Sequence, residues 1–263
     1  MDLELAGKVA VVTGGGRGIG KAVSLMLAAQ GAHVALCGRT AETLNATAAE
    51  IRAFGVDAWP IVADVADLNA LERLIEETAQ RAGHIDILVN NAVSSLHAPF
   101  AEQTDDNWRH HIDVKLMAYI RGSRLAVPHM RAAGGGRIVN IGGMTARIVA
   151  PIRITNGVVN AGVSNFTKQL SAQVGADNIT VNCVHPGFTA TDRMLSGTRR
   201  RAQDSGISED SEIARMVSTI PLGRLVAPED IARAVLFFCS PLAAMVTGQS
   251  IAVDGGSGEA INY

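Results

Sequence analysis

The chain has 263 residues, enough for one α/β domain that buries roughly 70–75% of its unfolded surface. Its formal charge of −2 excludes a general polyanion binder, so no nucleic-acid partner is expected. A 48% apolar content with only 4% aromatics points to a core of Val, Ile, Leu and Ala layers, and three cysteines without metal-ligand spacing (Cys37, Cys183, Cys239) read as buried thiols with no metal site.

Lys8-Val-Ala-Val-Val-Thr13 is a short apolar, β-branched run and reads as a buried parallel strand. The glycine-rich stretch Thr13-Gly-Gly-Gly-Arg-Gly-Ile-Gly20 follows. Lys21 to Gln30 then carries good helix formers with apolar residues at helical spacing. The glycines therefore sit at a strand-to-helix turn, where bare backbone at a helix N-terminus binds a phosphate. Further strands are expected at Val34–Cys37, Asp57–Val62, Ile85–Asn90, Gly136–Ile141, Ile179–Val184 and Ser250–Val253, with helices around 17–30, 41–54, 68–82, 104–132, 155–175 and 228–239. Gly134-Gly-Gly136 is a turn entering a strand. The repeated βαβ alternation predicts a single doubly wound parallel sheet of about seven strands, Rossmann-type, with helices on both faces and one domain spanning 1–263. The stretch 187–222 reads as the one long irregular region. It is polar and charged (Arg199-Arg-Arg201, Asp204, Glu209, Asp210, Glu212), and at the carboxyl edge of such a sheet it suits a substrate lid. The arginine run alone equally suits a solvated surface.

The glycine spacing Gly14-x3-Gly18-x-Gly20, in that strand and helix context, resembles the TGxxxGxG turn of the short-chain dehydrogenase/reductase family. Other motifs follow in the family's order: Asp64-Val65 after the third strand, Asn90-Asn-Ala92 after the fourth (with Val93 where the family has glycine), Pro186-Gly-Phe-Thr-Ala-Thr191 after the sixth, then Pro221-Leu-Gly-Arg224, Pro228-Glu-Asp230 and Thr247-Gly248 with Val253-Asp-Gly-Gly256. The resemblance covers nearly the whole chain. It implies a nicotinamide dinucleotide held by Gly14, Gly16, Arg17, Gly18, Ile19, Gly20, Arg39, Asp64, Val65, Asn91, Ala92, Pro186, Gly187, Thr189 and Thr191. An NAD-selective site usually ends the second strand with an acid, whereas here Gly38 is followed by Arg39. Two guanidiniums, Arg17 and Arg39, near the adenosine ribose suit a 2′-phosphate, so NADP(H) is expected over NAD(H).

The family's chemistry uses a tyrosine acid/base, a lysine one helical turn later, a serine that polarises the carbonyl and a helix asparagine that holds a relay water. All four positions differ here. Gly143 stands at the serine place, Asn156 at the tyrosine, Asn160 at the lysine and Lys115 at the asparagine. Asparagine hydrogen-bonds a ribose or a carbonyl but does not donate a proton near pH 7. Three readings stay open. The first is an NADP(H)-dependent oxidoreductase acting on a small carbonyl, alcohol or activated alkene with a displaced proton donor. Lys115 is the favoured candidate, with Tyr119 four residues on. Tyr119 also suits helix packing, and His111, four residues before Lys115, reads as solvent-facing. Arg147 and Arg153 flank the pocket mouth by analogy and suit either an acidic substrate or the surface. The second reading is a non-redox lyase, dehydratase or cyclase on the same scaffold. The third is a silent nucleotide-binding subunit paired with an active homologue. The resemblance implies a homo-tetramer or dimer built through the 104–132 and 155–175 helices and the C-terminal segment, or a hetero-oligomer with an active relative. Tyr263 reads as a frayed tail that would reach a neighbour's pocket only in such an assembly. No signal peptide precedes the first strand and no apolar run reaches about 18 residues, so a cytoplasmic protein without a membrane segment is expected.

Overall fold

Strands and helices alternate from Val9 onward in the computed structural model, which describes residues 2–94 and 97–259; Tyr263 lies outside the described residues. The strands are β1 (Val9–Thr13), β2 (His33–Gly38), β3 (Ala58–Val62), β4 (Ile87–Asn90), β5 (Gly136–Ile141), β6 (Ile179–Pro186) and β7 (Ser250–Val253). All pair in parallel, in the order β3-β2-β1-β4-β5-β6-β7. The α-helices are α1 (Gly18–Ala29), α2 (Ala41–Arg52), α3 (Leu68–Ala82), α4 (Asp105–His111), α5 (Ala118–Ala132), α6 (Ile154–Val174), α7 (Asp192–Asp204), α8 (Glu209–Val217) and α9 (Pro228–Cys239).

The central strands split their side chains between two cores, as the period-two alternation of a strand requires. Ala10 and Val12 of β1, Val34 and Leu36 of β2, and Ile87 and Val89 of β4 enter one layer, where they meet α1, α2 and α9. Val11, Ala35, Cys37 and Leu88 enter the other, with residues of α3, α5 and α6. Both faces of the sheet are thus covered, which explains why its strands read as continuous apolar runs rather than alternating ones. A buried polar chain crosses the second layer: Asn90 Nδ2 donates to Asn140 Oδ1 (2.9 Å) and to Ser123 Oγ (3.2 Å), and Asn140 Nδ2 donates to Thr167 Oγ1 (2.9 Å). These bonds fix β4 and β5 against α5 and α6, the helices that frame the site.

Three expectations change. The fourth strand starts at Ile87 rather than Ile85; Asp86, just before it, accepts from the Val9 N–H on its carboxylate (2.8 Å). The region 187–222 is not irregular: it holds α7 and α8, each with a side-chain N-cap, Thr191 and Ser208. The long helix expected at 104–132 is interrupted by a π-helical turn at Ile112–Met117, between α4 and α5. Among the described residues no helix is long and apolar enough to cross a membrane.

Candidate active site

The order β3-β2-β1-β4 places the switch point of the sheet beside the carboxyl end of β1, where doubly wound sheets open a crevice for ligands. The glycine turn lies there. Gly14 and Gly18 have φ of 67° and 53°, in the left-handed region that favours glycine. A side chain on Gly20 would collide with the Gly14 carbonyl oxygen and with Asn91. The turn is braced from β4: Asn91 Nδ2 donates to the Thr13 carbonyl (2.9 Å) and the Gly14 carbonyl (3.3 Å), while Thr13 Oγ1 accepts from the N–H groups of Asn91 (2.9 Å) and Ala92 (3.1 Å). Asn91 thus shapes the turn with its side chain. From α2, Thr47 Oγ1 donates to the Gly16 carbonyl (3.2 Å). Arg17 occupies the N-cap of α1 without a side-chain cap, and among the described residues no side chain accepts from the leading N–H groups of Gly18, Ile19 and Gly20.

Near this turn Arg17 and Arg39 are both exposed, and their charges add to burial in lowering the pKa of Arg193 on α7. Asp64 is exposed beyond β3 and accepts from the Ala66 N–H (3.0 Å), above a buried Val65. On the opposite wall, Pro186 closes β6. Gly187 passes so close to Asp254 that a side chain would overlap its backbone, and its N–H donates to the Val253 carbonyl (3.0 Å). Thr189 Oγ1 donates to the Gly187 carbonyl (3.1 Å), and Thr191 caps α7 by accepting from the Met194 N–H (3.3 Å). The sequence-predicted cofactor residues therefore gather on one edge of the sheet.

The π-helical turn carries Lys115 inward. Only 4% of this lysine is exposed, and its Nζ donates to the Gly142 carbonyl just past β5 (2.8 Å). Burial lowers its pKa to about 8; Cys183 acts against this and Arg193 adds to it, and no carboxylate is among the charges that act on the ammonium. A π turn in a helix commonly marks a functional position, because it rotates one side chain out of the helical register.

Gly143 and Asn160, the serine and lysine positions of the resemblance, face each other. A side chain on Gly143 would stand 2.6 Å from Asn160 Nδ2, so the asparagine fills the space that a residue larger than glycine would need. Asn160 is 4% exposed; its Nδ2 donates to Thr145 Oγ1 (2.8 Å) and its buried Oδ1 has no partner among the described residues. Asn156 stands half-buried one turn earlier on α6.

His185, which sequence reasoning passed over, completes this wall. Its Nδ1 accepts from the Gly143 N–H (3.0 Å), so the network assigns the proton to Nε2, which lies 3.2 Å from Ser164 Oγ; Ser164 in turn donates to the Asn160 carbonyl (3.1 Å). Burial, with the charges of Arg147 and Lys115, lowers the His185 pKa to about 4, so the ring is neutral. The available signal was a histidine near the end of a buried strand, immediately before Pro186. The ring also abuts Gly142, where a side chain would overlap it.

Two other expectations are corrected. Tyr119 is not a displaced proton donor in the cleft: it is 1% exposed, its hydroxyl donates to the Ile141 carbonyl (3.0 Å), and burial raises its pKa well above the usual phenol value. His111 is not solvent-facing but 2% exposed, and burial with the Lys115 charge lowers its pKa to about 4.

Two features of these residues fit a dinucleotide: the uncapped N-terminus of α1, suited to a pyrophosphate, and the orphaned Asn160 Oδ1, suited to accept from a ribose hydroxyl. Comparison with known proteins points the same way. A family model described as enoyl-(acyl carrier protein) reductase matches residues 14–258. A 3-oxoacyl-(acyl-carrier-protein) reductase of Chlamydia pneumoniae is 32% identical over 97% of this chain and 99% of its own. A 3α-hydroxysteroid dehydrogenase of Mediterraneibacter gnavus is 34% identical over 98% and 99%. The crystal structure of L-sorbose reductase from Gluconobacter frateurii, complexed with NADPH and L-sorbose, superimposes with a TM-score of 0.96 at 32% identity, covering 99% of this chain and 100% of that one.

Proposed function

The chain belongs to the short-chain dehydrogenase/reductase family, and on that premise we propose that it is an NADP(H)-dependent oxidoreductase of a small carbonyl, alcohol or activated alkene, with Lys115 in place of the usual proton donor. The observation that carries the reading is the buried ammonium of Lys115, held at the Gly142 carbonyl and lowered to a pKa of about 8. NADP(H), when bound, supplies hydride to the substrate carbon. Arg17 and Arg39 would hold the 2′-phosphate, the α1 N-terminus the pyrophosphate, and Asn160 Oδ1 a ribose hydroxyl. Hydride arrival at a carbonyl builds an alkoxide, which needs a proton. Lys115 supplies it from Nζ and is reprotonated from solvent. An acid with a pKa near the working pH is both protonated and willing to give its proton, which an ordinary lysine at 10.5 is not. Neutral His185 fixes the Gly143 backbone, and Asn156 offers its amide to the substrate oxygen.

The test is NADPH absorbance against a panel of ketones, aldehydes and activated alkenes. Turnover should fall about 10²- to 10⁴-fold in Lys115→Met with NADPH affinity kept. It should also decline above pH 8 in the reductive direction, as the ammonium loses its proton. Binding of NADPH without oxidation across the panel would defeat the redox reading and favour a silent subunit.

A further inference from the structure

The loop after β4, the turn before α6 and the start of α7 converge on one corner of the cleft. Arg193 Nη2 donates to the Val93 carbonyl (3.0 Å), joining α7 to the β4 loop, and the Ala98 N–H donates to the Ile152 carbonyl (3.1 Å), joining that loop to the turn at 151–153. Arg153 ends this turn and stands at the N-cap of α6, one helical turn before Asn156. It is half-buried; its backbone N–H donates to the Ala150 carbonyl (2.8 Å), while its guanidinium makes no hydrogen bond or ion pair with any described residue. It also stands where its charge is least welcome. The first turn of α6 contains no acidic residue, and a helix N-terminus already carries partial positive charge. The charges that act on this corner are all cations: Arg153, Arg193 and Arg201 on His97, and Arg201 on Arg153. Arg201 is neutralised by Glu212 (Nε to Oε1, 3.0 Å), but among the described residues no carboxylate lies within 4.0 Å of Arg153 or Arg193. Packing gives no reason for this arrangement, since each feature costs stability. A ligand anion would relieve all of them together.

The cofactor does not account for it. Arg193 is coupled to Arg17 and Arg39 near the glycine turn, whereas Arg153 is coupled to Arg201 and His97, on the side of Asn156. We propose that the substrate is a carbonyl compound bearing an anionic group, carboxylate or phosphate, and that Arg153 binds that group, with Arg193 adding positive potential. The inference rests on the reductase reading and names its substrate class. A planar guanidinium with free donors matches either anion in a two-pronged hydrogen bond, so one side chain both attracts the substrate and fixes which end faces Lys115.

The experiment compares a homologous series of straight-chain keto acids, their methyl esters and phosphorylated hydroxyketones in two measurements. The first is binding to the NADP⁺-loaded protein by calorimetry, which needs no turnover; the second is NADPH oxidation. The acids or the phosphates should bind more tightly than the esters, and the better of the two identifies the anion. Arg153→Gln should raise Kd and KM for the anionic compound about tenfold to a hundredfold, with kcat for the neutral ester and NADPH affinity unchanged, and Arg153→Lys should restore part of the loss. Equal binding of acid and ester, or a loss of NADPH affinity in Arg153→Gln, would overturn the proposal. Binding of the anion without turnover would sink the reductase reading and leave the anion site standing.

Discussion

An ammonium enclosed by protein with no counter-charge lowers the stability of the fold that encloses it, and Lys115 is such a group. Its folded pKa, about 8, lies below the ordinary lysine value of 10.5, so the unfolded chain binds more protons between those two values. The cost is fully present below pH 8 and fades as pH rises toward 10.5. Lys115→Met removes the titrating group. The variant's stability relative to the parent should therefore drop by roughly 2–3 kcal/mol between pH 7 and pH 10.5. Denaturant titrations at a series of pH values check this. Parallel pH profiles for the two proteins would mean that Lys115 is not an enclosed cation. The neighbouring positions belong to the same design. Gly143 leaves room for Asn160, and Gly142 leaves room for His185, so a side chain at either glycine would force its partner to move.

At the scale of elements, α7 and α8 are pinned to each other by a buried acid. Glu212 is 2% exposed and accepts from Arg201 Nε (3.0 Å), Arg215 Nε (2.9 Å) and Arg215 Nη2 (3.1 Å), which hold its carboxyl below the usual range. Because the folded pKa is depressed, this clasp stabilises the helix pair above the ordinary glutamate pKa and is lost as pH falls through the folded value. Glu212→Gln should weaken the pair by about 1–3 kcal/mol, the usual worth of hydrogen bonds to a charged group, and speed amide exchange across 192–217 while leaving the sheet protected. Unchanged exchange there would show that the other contacts, packing and the Arg199–Glu209 pair (3.0 Å), hold the helices without the clasp. The clasp also explains what the sequence reading missed. Residues 187–222 carry few apolar residues, and the burial of Glu212 depends on two arginines, one eleven positions earlier, which periodicity does not reveal. The central strands were legible because they face two cores and are largely apolar; β1 and the glycine turn announce themselves through β-branched residues and obligatory glycines. His111 was misread and His185 passed over because the π turn at Ile112–Met117 and the end of β6 set which way those side chains point, and neither has a pattern in one dimension.

For the whole molecule, a formal charge of −2 conceals a strong segregation. Arg17, Arg39, Arg147, Arg153 and Arg193 all lie at the carboxyl edge of the sheet, and among the described residues none of them has a carboxylate within 4.0 Å. Such a cleft concentrates anions and hastens their arrival, and a 2′-phosphorylated nucleotide, carrying more charge than its unphosphorylated counterpart, gains most. A ligand that binds only the folded state stabilises it by about 2.7 kcal/mol at a hundredfold excess over Kd, or roughly 5–10 °C in Tm for a chain of this size. NADPH should therefore raise Tm by more than NADH at equal concentration, and added salt should narrow the difference, because exposed Arg17 and Arg39 are screened. Arg39→Asp supplies the acid that Gly38 and its neighbour lack. It repels the 2′-phosphate and offers an acceptor to a 2′-hydroxyl, so the order of the two shifts should reverse, with the unliganded Tm moved by little because Arg39 is exposed and unpaired. Equal shifts for the two nucleotides in the parent protein would place Arg17 and Arg39 on the general surface and remove the charge argument for NADP(H).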